Sequence, residues 1–465
     1  MLHDPSHISP VPIDEEIILG EGDKDVLRRL GEEYAAYGAR DSAGGKDALW
    51  RDLNGLNSKR PMVWINEIPW HEMDVDGELA LRCAHPWAKE LETSLRRTIY
   101  QAKHMPGDMI VSPFIECPKV FHSTDFGIVE KVETAVTDSD SEIYSRHFEI
   151  QIKDIEDIEK IRMPEITYLA AATERRYAAM RELYRDIAEV RLVGQTHIWY
   201  TPWDFLIRWW GISEALMDLV VRPDMVHQAY ERMVDAWMTE LDQLDELNLL
   251  SIDANNTRIG SGGYGYVPEL PGDLMASGVP GTPGTSGAPG ASEASGTSGT
   301  PGVGYDPDHV HPHNMWGCSN AQIFSSVSPA MHWEFAIEHD LRWLSRFGLT
   351  YYGCCEPLDK KMDVVSRIPN LRKVSVSPWC DSRTAVDAIG DRYVMSRKPS
   401  PAIFVPQPFD LEAAERQLRE FLDPAGDAGG HTEIIMKDIS TVMYKPENLW
   451  AWEKMAMRVA EEYAG

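Results

Sequence analysis

Two rhythms of apolar residues run along the chain. Short runs rich in β-branched and apolar residues predict eight buried strands. They are Pro61–Glu67, Met109–Glu116, Val190–His197, Leu249–Ala254, Leu349–Cys355, Arg372–Ser377, Arg392–Arg397 and Glu433–Asp438. Between them, apolar residues recur at helical spacing over Pro86–Lys103, Ala170–Ile187, Ile212–Leu247, Ala330–Phe347, Leu358–Arg367, Ser382–Ile389, Leu411–Leu422 and Pro446–Tyr463. Strand and helix in alternation predict a parallel sheet with helices outside it. Eight such units predict a closed (β/α)8 TIM barrel over residues 58–465, with an open doubly wound sheet as the alternative. Residues 1–57 predict a charged, mostly helical N-terminal extension. Phe121–Met163 predicts an excursion, a hairpin followed by a short helix.

Composition sharpens this picture at a few points. The stretch Ala276–Gly304 is almost entirely Gly, Pro, Ser, Thr and Ala, so a flexible insertion is expected at about 272–306. Among 465 residues, 45 basic against 74 acidic side chains leave a formal charge of −29. That surface argues against nucleic acid and anionic membrane as partners. No apolar run reaches the roughly 18 residues a bilayer span needs. The N-terminus lacks the basic start and apolar middle of a signal peptide. Six cysteines in so long a chain give no disulfide framework, so reduced thiols in a cytoplasmic protein are expected.

The chemistry is expected where strands end, because a barrel enzyme gathers its working groups at that mouth. Leu349-Thr-Tyr-Tyr-Gly-Cys-Cys-Glu-Pro357 runs out of a strand into two thiols and a carboxylate, a soft metal-ligand set. Strand alternation lets only one of the two thiols face inward, and Cys355 is the one chosen. Cys380, at the next strand's end, and His332 are the expected co-ligands of a zinc ion; the alternative is that these are buried free thiols. Glu356, Lys437 and Asp438 are the candidate catalytic groups. Glu67, His197, Trp203, Asn255, Arg397 and Lys398 are the candidate substrate-binding groups, with Arg397-Lys398 read as a carboxylate clamp. The His309, His311 and His313 cluster is expected to be solvated, and Gly262-Gly-Tyr-Gly265 to be a loop.

Several of these segments resemble the uroporphyrinogen decarboxylase-like superfamily, in its corrinoid-linked methyltransferase branch. The likeness is carried by Trp203-Asp-Phe-Leu-Ile-Arg-Trp-Trp-Gly211, Leu219-Val-Val-Arg-Pro-Asp-Met-Val226, Ser328-Pro-Ala-Met-His-Trp-Glu-Phe335 and Gly353-Cys-Cys-Glu-Pro357. Ile434-Ile-Met-Lys-Asp-Ile-Ser-Thr441 and Pro446-Glu-Asn-Leu-Trp450 extend it to the end of the chain. The resemblance implies a (β/α)8 barrel and a zinc held by a His-x-Cys pair and a later Cys. Only Cys355 matches that pattern; Gly353 stands at the histidine position, and Lys437 and Asp438 at the later cysteine. The activity implied is transfer of a methyl group from a small O- or N-methylated compound, a methoxylated aromatic acid for preference, to a corrinoid on a separate carrier protein. A homodimer is a further expectation. The rival expectations are a decarboxylase or lyase acting on a tetrapyrrole-like polyacid, and a non-catalytic ligand-binding barrel.

Overall fold

The computed structural model describes residues 16–74, 76–135, 145–252, 257–270, 306 and 308–464. Twelve strands are present among them: β1 (Met62–Ile65), β2 (Ile115–Pro118), β3 (Phe121–Ser123), β4 (Val132–Ala135), β5 (Ser145–Phe148), β6 (Ile166–Tyr168), β7 (Val190–Val193), β8 (Trp316–Ser319), β9 (Leu349–Tyr352), β10 (Leu371–Val376), β11 (Val394–Arg397) and β12 (His431–Met436). Six of them form one parallel sheet in the order β1-β12-β11-β10-β9-β8. A separate parallel pair joins β2 to β7, and a single parallel bridge, Gln195 to Leu250, extends it. No ladder among the described residues joins the two sheets. The fold is therefore mixed α/β around a six-stranded parallel core.

Strand alternation explains how the six-stranded sheet is covered. On one face Val63, Ile65, Tyr352, Val374, Val376, Met395, Ile434 and Met436 join the main hydrophobic core with the surrounding helices. The opposite, inner face carries Met62, Trp64, Tyr351, Lys373, Ser375, Ser396, Lys398 and Glu433. This polar face is buried by two insertions. Helix Lys46–Asn54 brings Trp50, which packs with Met62, Val394 and Tyr264. A tight hairpin over 257–265, closed by an Arg258–Tyr264 bridge, lays its tip on the strands.

The hairpin is possible because its tip is glycine. A Cβ at Gly262 would lie 2.9 Å from the Tyr351 ring and 3.1 Å from Ser396 Oγ, and one at Gly263 would lie 2.9 Å from Glu433 Oε2. Gly263 N instead donates to Glu433 Oε1 at 3.0 Å, and Ser261 Oγ lies 2.8 Å from Tyr351 OH. The glycine-rich stretch is thus a packed plug rather than a plain loop.

Most of the expected elements form. The predicted helix Ile212–Leu247 is two, Ile212–Val221 and Pro223–Glu246, because Pro223 forces a break at Arg222. Phe121 to Lys160 holds β3, the β4–β5 hairpin and the short helix Ile155–Lys160. Among strands and α-helices β6, β8 and helix Pro202–Trp210 were missed, and the expected strand Leu249–Ala254 forms only the bridge at Leu250, with 253–254 outside the described residues. Residues 272–305 and 307 lie outside the described residues. Among the described residues no helix is long and apolar enough to cross a membrane.

Candidate functional site

The parallel strands end together, and their first residues beyond the ladder make one cluster. β9 stops at Tyr352, and Gly353 follows with φ +97°. That left-handed residue breaks the strand's alternation. Both thiols can then turn the same way, against expectation: Cys354 Sγ and Cys355 Sγ lie 3.6 Å apart. Lys437, leaving β12, places Nζ 3.5 Å from Cys354 Sγ, 3.0 Å from Asp438 Oδ2 and 3.6 Å from Glu67 Oε2. Asp438 Oδ2 lies 3.5 Å from Cys355 Sγ, and Asp438 N donates to Glu67 Oε2 at 3.1 Å. Arg258, at the hairpin's base, closes the set by pairing with Glu67 at 2.7 Å. Glu67 and Asp438 both hold positive φ, +52° and +55°. Such conformations are uncommon outside glycine and concentrate at functional sites.

Charge fixes the protonation of this cluster. Burial would raise the Cys354 thiol, but a hydrogen bond from the Cys355 thiol and the Lys437 ammonium outweigh it, so Cys354 is pushed down. Its neighbour Cys355 is pushed up, chiefly by donating that hydrogen bond. The pair therefore favours one thiolate and one thiol. Arg258 and Lys437 overcome burial and hold Glu67 far below the usual carboxylate range. Lys437 is held above its ordinary value by Cys354, Glu67 and Asp438 despite its burial.

Beneath the cluster, buried Lys398 donates to Tyr351 OH, to Ser396 Oγ at 2.8 Å and to Ser396 O at 2.9 Å. Burial outweighs the attraction of Glu433 and lowers Lys398 to about 7. Deeper still, Lys373 and Glu433 form a fully buried ion pair at 2.8 Å. At the rim, Asp204 accepts from Gln322 Nε2 at 2.8 Å. Burial, reinforced by the nearby Glu356, raises its carboxyl to about 6.

Other groups at the same strand ends are buried without a side-chain partner. Asn66 Nδ2, Arg258 Nε and both polar atoms of Asn320 find none in the protein. Buried polar groups are almost always paired, so several unpaired ones at one end of a sheet mark a polar ligand position.

The proposed metal set is not brought together. Cys355 lies at the inner end of the sheet, whereas His332 and Cys380 belong to the helix-covered side. His332 is buried, with Nε2 2.7 Å from Tyr352 OH and Nδ1 3.1 Å from Lys361 Nζ, and burial lowers it to about 3. Cys380 packs in the main core, its Sγ 3.7 Å from Ser377 Oγ. Glu356 is fully buried and both its oxygens are used, accepting from Ala321 N and Cys354 N at 3.0 Å. It ties two strand ends together, each oxygen already holding a backbone N–H.

The substrate set is likewise divided. Arg397 and Lys398 are neighbours on a strand and point to opposite faces, so they form no clamp. Arg397 donates to Ser377 O at 2.8 Å and lies over the Phe421 ring on the helix side. Trp203 is wholly buried among Tyr230 and Phe324, its Nε1 donating to Phe335 O at 3.0 Å. His197 accepts from Gly260 N at 2.9 Å, and burial lowers it to about 4. Asn255 lies outside the described residues. Glu67, Cys355, Lys437 and Asp438 are the expected residues that do meet. Arg258, Asp204 and Asn320 were missed: Arg258 sits in what read as a loop, and Asn320 follows the missed β8.

Two thiols, one carboxylate and one ammonium can do specific chemistry. Cys354 and Cys355 offer two soft donors to a borderline ion such as zinc, with the harder Asp438 beside Cys355; the three donor atoms do not all lie within 4.8 Å of one another, so Asp438 would have to turn toward Cys354 to complete the set. With Zn–S bonds of about 2.3 Å, a tetrahedral ion separates two sulfurs by about 3.8 Å. The 3.6 Å between these sulfurs fits that spacing. No family model matches the chain, and no curated protein matches it.

Proposed function

We propose that the protein is a methyltransferase that moves a methyl group from a small O- or N-methylated compound to a corrinoid carried by a partner protein. In this reading the six-stranded sheet and the β2–β7 pair are parts of one (β/α)8 barrel, a view supported by the pairing of β1 with β12. The observation that carries the reading is the pair of sulfurs 3.6 Å apart at the strand ends, with Asp438 beside Cys355 and Lys437 beside Cys354. Zinc held there through Cys354, Cys355 and Asp438 would polarise the donor heteroatom as a Lewis acid.

The chain's own residues then have distinct tasks. Lys437 holds a thiolate ready at Cys354 and is itself fixed by Glu67. Asp204, with a carboxyl near pH 6, can deliver a proton to the demethylated heteroatom, where negative charge develops. Asn66 and Asn320 supply hydrogen-bonding atoms to the polar end of the substrate. The polyacid decarboxylase is less well supported, because the cations at the strand ends are already paired or turned away.

The test is a transfer assay: a methoxylated aromatic acid, reduced corrinoid and the purified protein, followed by the spectral change on corrinoid methylation. Wild type should transfer, and Cys355→Ser should lose transfer by at least about 100-fold. Full activity in Cys354→Ser/Cys355→Ser would overturn the reading. A second reading, metal-free dithiol redox chemistry, is favoured by one observation, the Lys437 ammonium already beside the Cys354 sulfur. Activity that survives chelation, together with reversible loss of both thiols under mild oxidation, would select it.

A further inference from the structure

At the other end of the sheet lies a second donor cluster. Helix Pro223–Glu246 ends beside the segment that leads into β8. Asp245, in the helix's last turn, places Oδ1 2.8 Å from His311 Nδ1 and 3.2 Å from His309 Nε2. The three donor atoms all lie within 4.8 Å of one another. This is the only group of three or more His, Cys, Asp or Glu donors so gathered among the described residues. The histidine rings stack with centroids 4.5 Å apart.

The backbone is built to hold this arrangement. Val310 and Pro312 between and after the histidines are buried, so the alternation presents His309 and His311 together. His311 N donates to Asn314 Oδ1 at 3.0 Å, and His309 N to Asp306 O at 3.1 Å. The helix end adds its own field: the last turn carries no basic residue, and the end of a helix bears roughly half a negative charge. His309 Nε2 also lies 2.7 Å from Asp245 O, a backbone carbonyl at that helix end. Two imidazoles and a carboxylate make a cation site of borderline hardness. Metal–nitrogen and metal–oxygen bonds of about 2.0–2.2 Å set tetrahedral ligand spacings of about 3.3–3.6 Å. The 2.8 and 3.2 Å spacings need about 0.1–0.8 Å of spreading to reach that range.

We propose that Asp245, His309 and His311 bind a borderline divalent cation, zinc being the probe, at the end of the sheet opposite the thiols. The ion pins the entry to β8 against the end of the long helix. Its role there is structural, since Asp245 precedes the bridge at Leu250 and His311 precedes β8, at the opposite end from the strand ends that gather Cys354, Lys437 and Asp438. Zinc content measured on the whole protein would therefore count this site as well as any ion on the thiols.

The full chain, stripped by a chelator and titrated with Zn2+, separates the two. Cys354→Ser/Cys355→Ser should retain one tight zinc equivalent, and its Co2+ form should show d–d absorbance without a thiolate charge-transfer band. Added to the thiol variant, His309→Ala/His311→Ala and, independently, Asp245→Asn should weaken that equivalent by more than about 100-fold, beyond what positions outside the coordination sphere cause. Zinc should also raise the melting temperature of the thiol variant but not of the variant that combines the thiol and histidine substitutions. Tight binding in that combined variant equal to that of the thiol variant, or no binding in the thiol variant, overturns the proposal. Neither result bears on methyl transfer, which is read from the thiol variant's activity.

Discussion

At the residue scale, the decisive contest is between burial and neighbouring charge, and it goes different ways at adjacent positions. Lys398 loses its contest and falls to about 7, while Lys437, nearly as buried, is held charged by three anionic neighbours. Removing that ammonium should therefore release Cys354. In Lys437→Met the thiol should titrate higher than in wild type, measured by thiolate absorbance or by the pH dependence of alkylation with a small reagent. Coincident titration curves would mean that Cys355 alone sets the thiolate. Asp204 gives a second test. Its carboxyl is protonated below about 6, so an acid role predicts kcat/KM falling as pH rises through that value. In Asp204→Asn the alkaline limb should vanish at a lower overall rate. These assignments were only partly legible in the sequence. Glu67, Cys355, Lys437 and Asp438 follow strand patterns and were found by counting to the strand end. Cys354 was set aside by strand alternation, which holds only until Gly353 takes a left-handed backbone.

At the element scale, strands and helices with a clean rhythm were visible and those defined by partners were not. Leu349–Tyr352 is a continuous apolar or β-branched run, and β12 carries one in Ile434-Ile-Met436. Trp316-Gly-Cys-Ser319 is short, holds a glycine and a serine, and follows a histidine–proline run, so nothing in its own sequence marks a strand; pairing with β9 makes it one. Alternation also explains the misplaced clamp, because adjacent Arg397 and Lys398 were assigned one destination. The hairpin over 257–265 is the clearest case of structure fixed by context. Glycines usually signal a loose turn, yet here they let the backbone reach Glu433 and Tyr351. Gly262→Ala should destabilise the protein by about 1–3 kcal/mol, the usual result of overpacking, measured by denaturant titration. Surface Gly20, which has open space around it, is the control and should change little.

At the scale of the whole molecule, two sets of buried groups oppose each other across the acid range. Asp340, buried and accepting from Tyr200, Tyr230 and Ser319, is raised by burial from 3.8 to about 7. Glu240 is likewise raised from 4.5 to about 7. His197 and His332 are lowered by burial from 6.5 to about 4 and about 3. Between pH 4 and 6.5 the folded state keeps protons on the two carboxyls that the unfolded chain has released. Their contribution to stability is thus present in acid and is lost as pH rises toward 7. The histidines work the other way: the folded state leaves them neutral while the unfolded chain is protonated, so their contribution is lost as pH falls from 6.5 toward 3–4. Each such group is worth about 1.4 kcal/mol per pH unit, and the two kinds work against each other across that window. Asp340→Asn removes one of the raised carboxyls while keeping an oxygen for the hydroxyl donors. Its stability should climb relative to wild type by on the order of 1.4 kcal/mol per unit between about pH 4 and 7, read from urea midpoints at several pH values. Parallel profiles for the two proteins would show that Asp340 is ionised in the folded state across the whole range, held there by its three hydroxyl donors against the cost of burial.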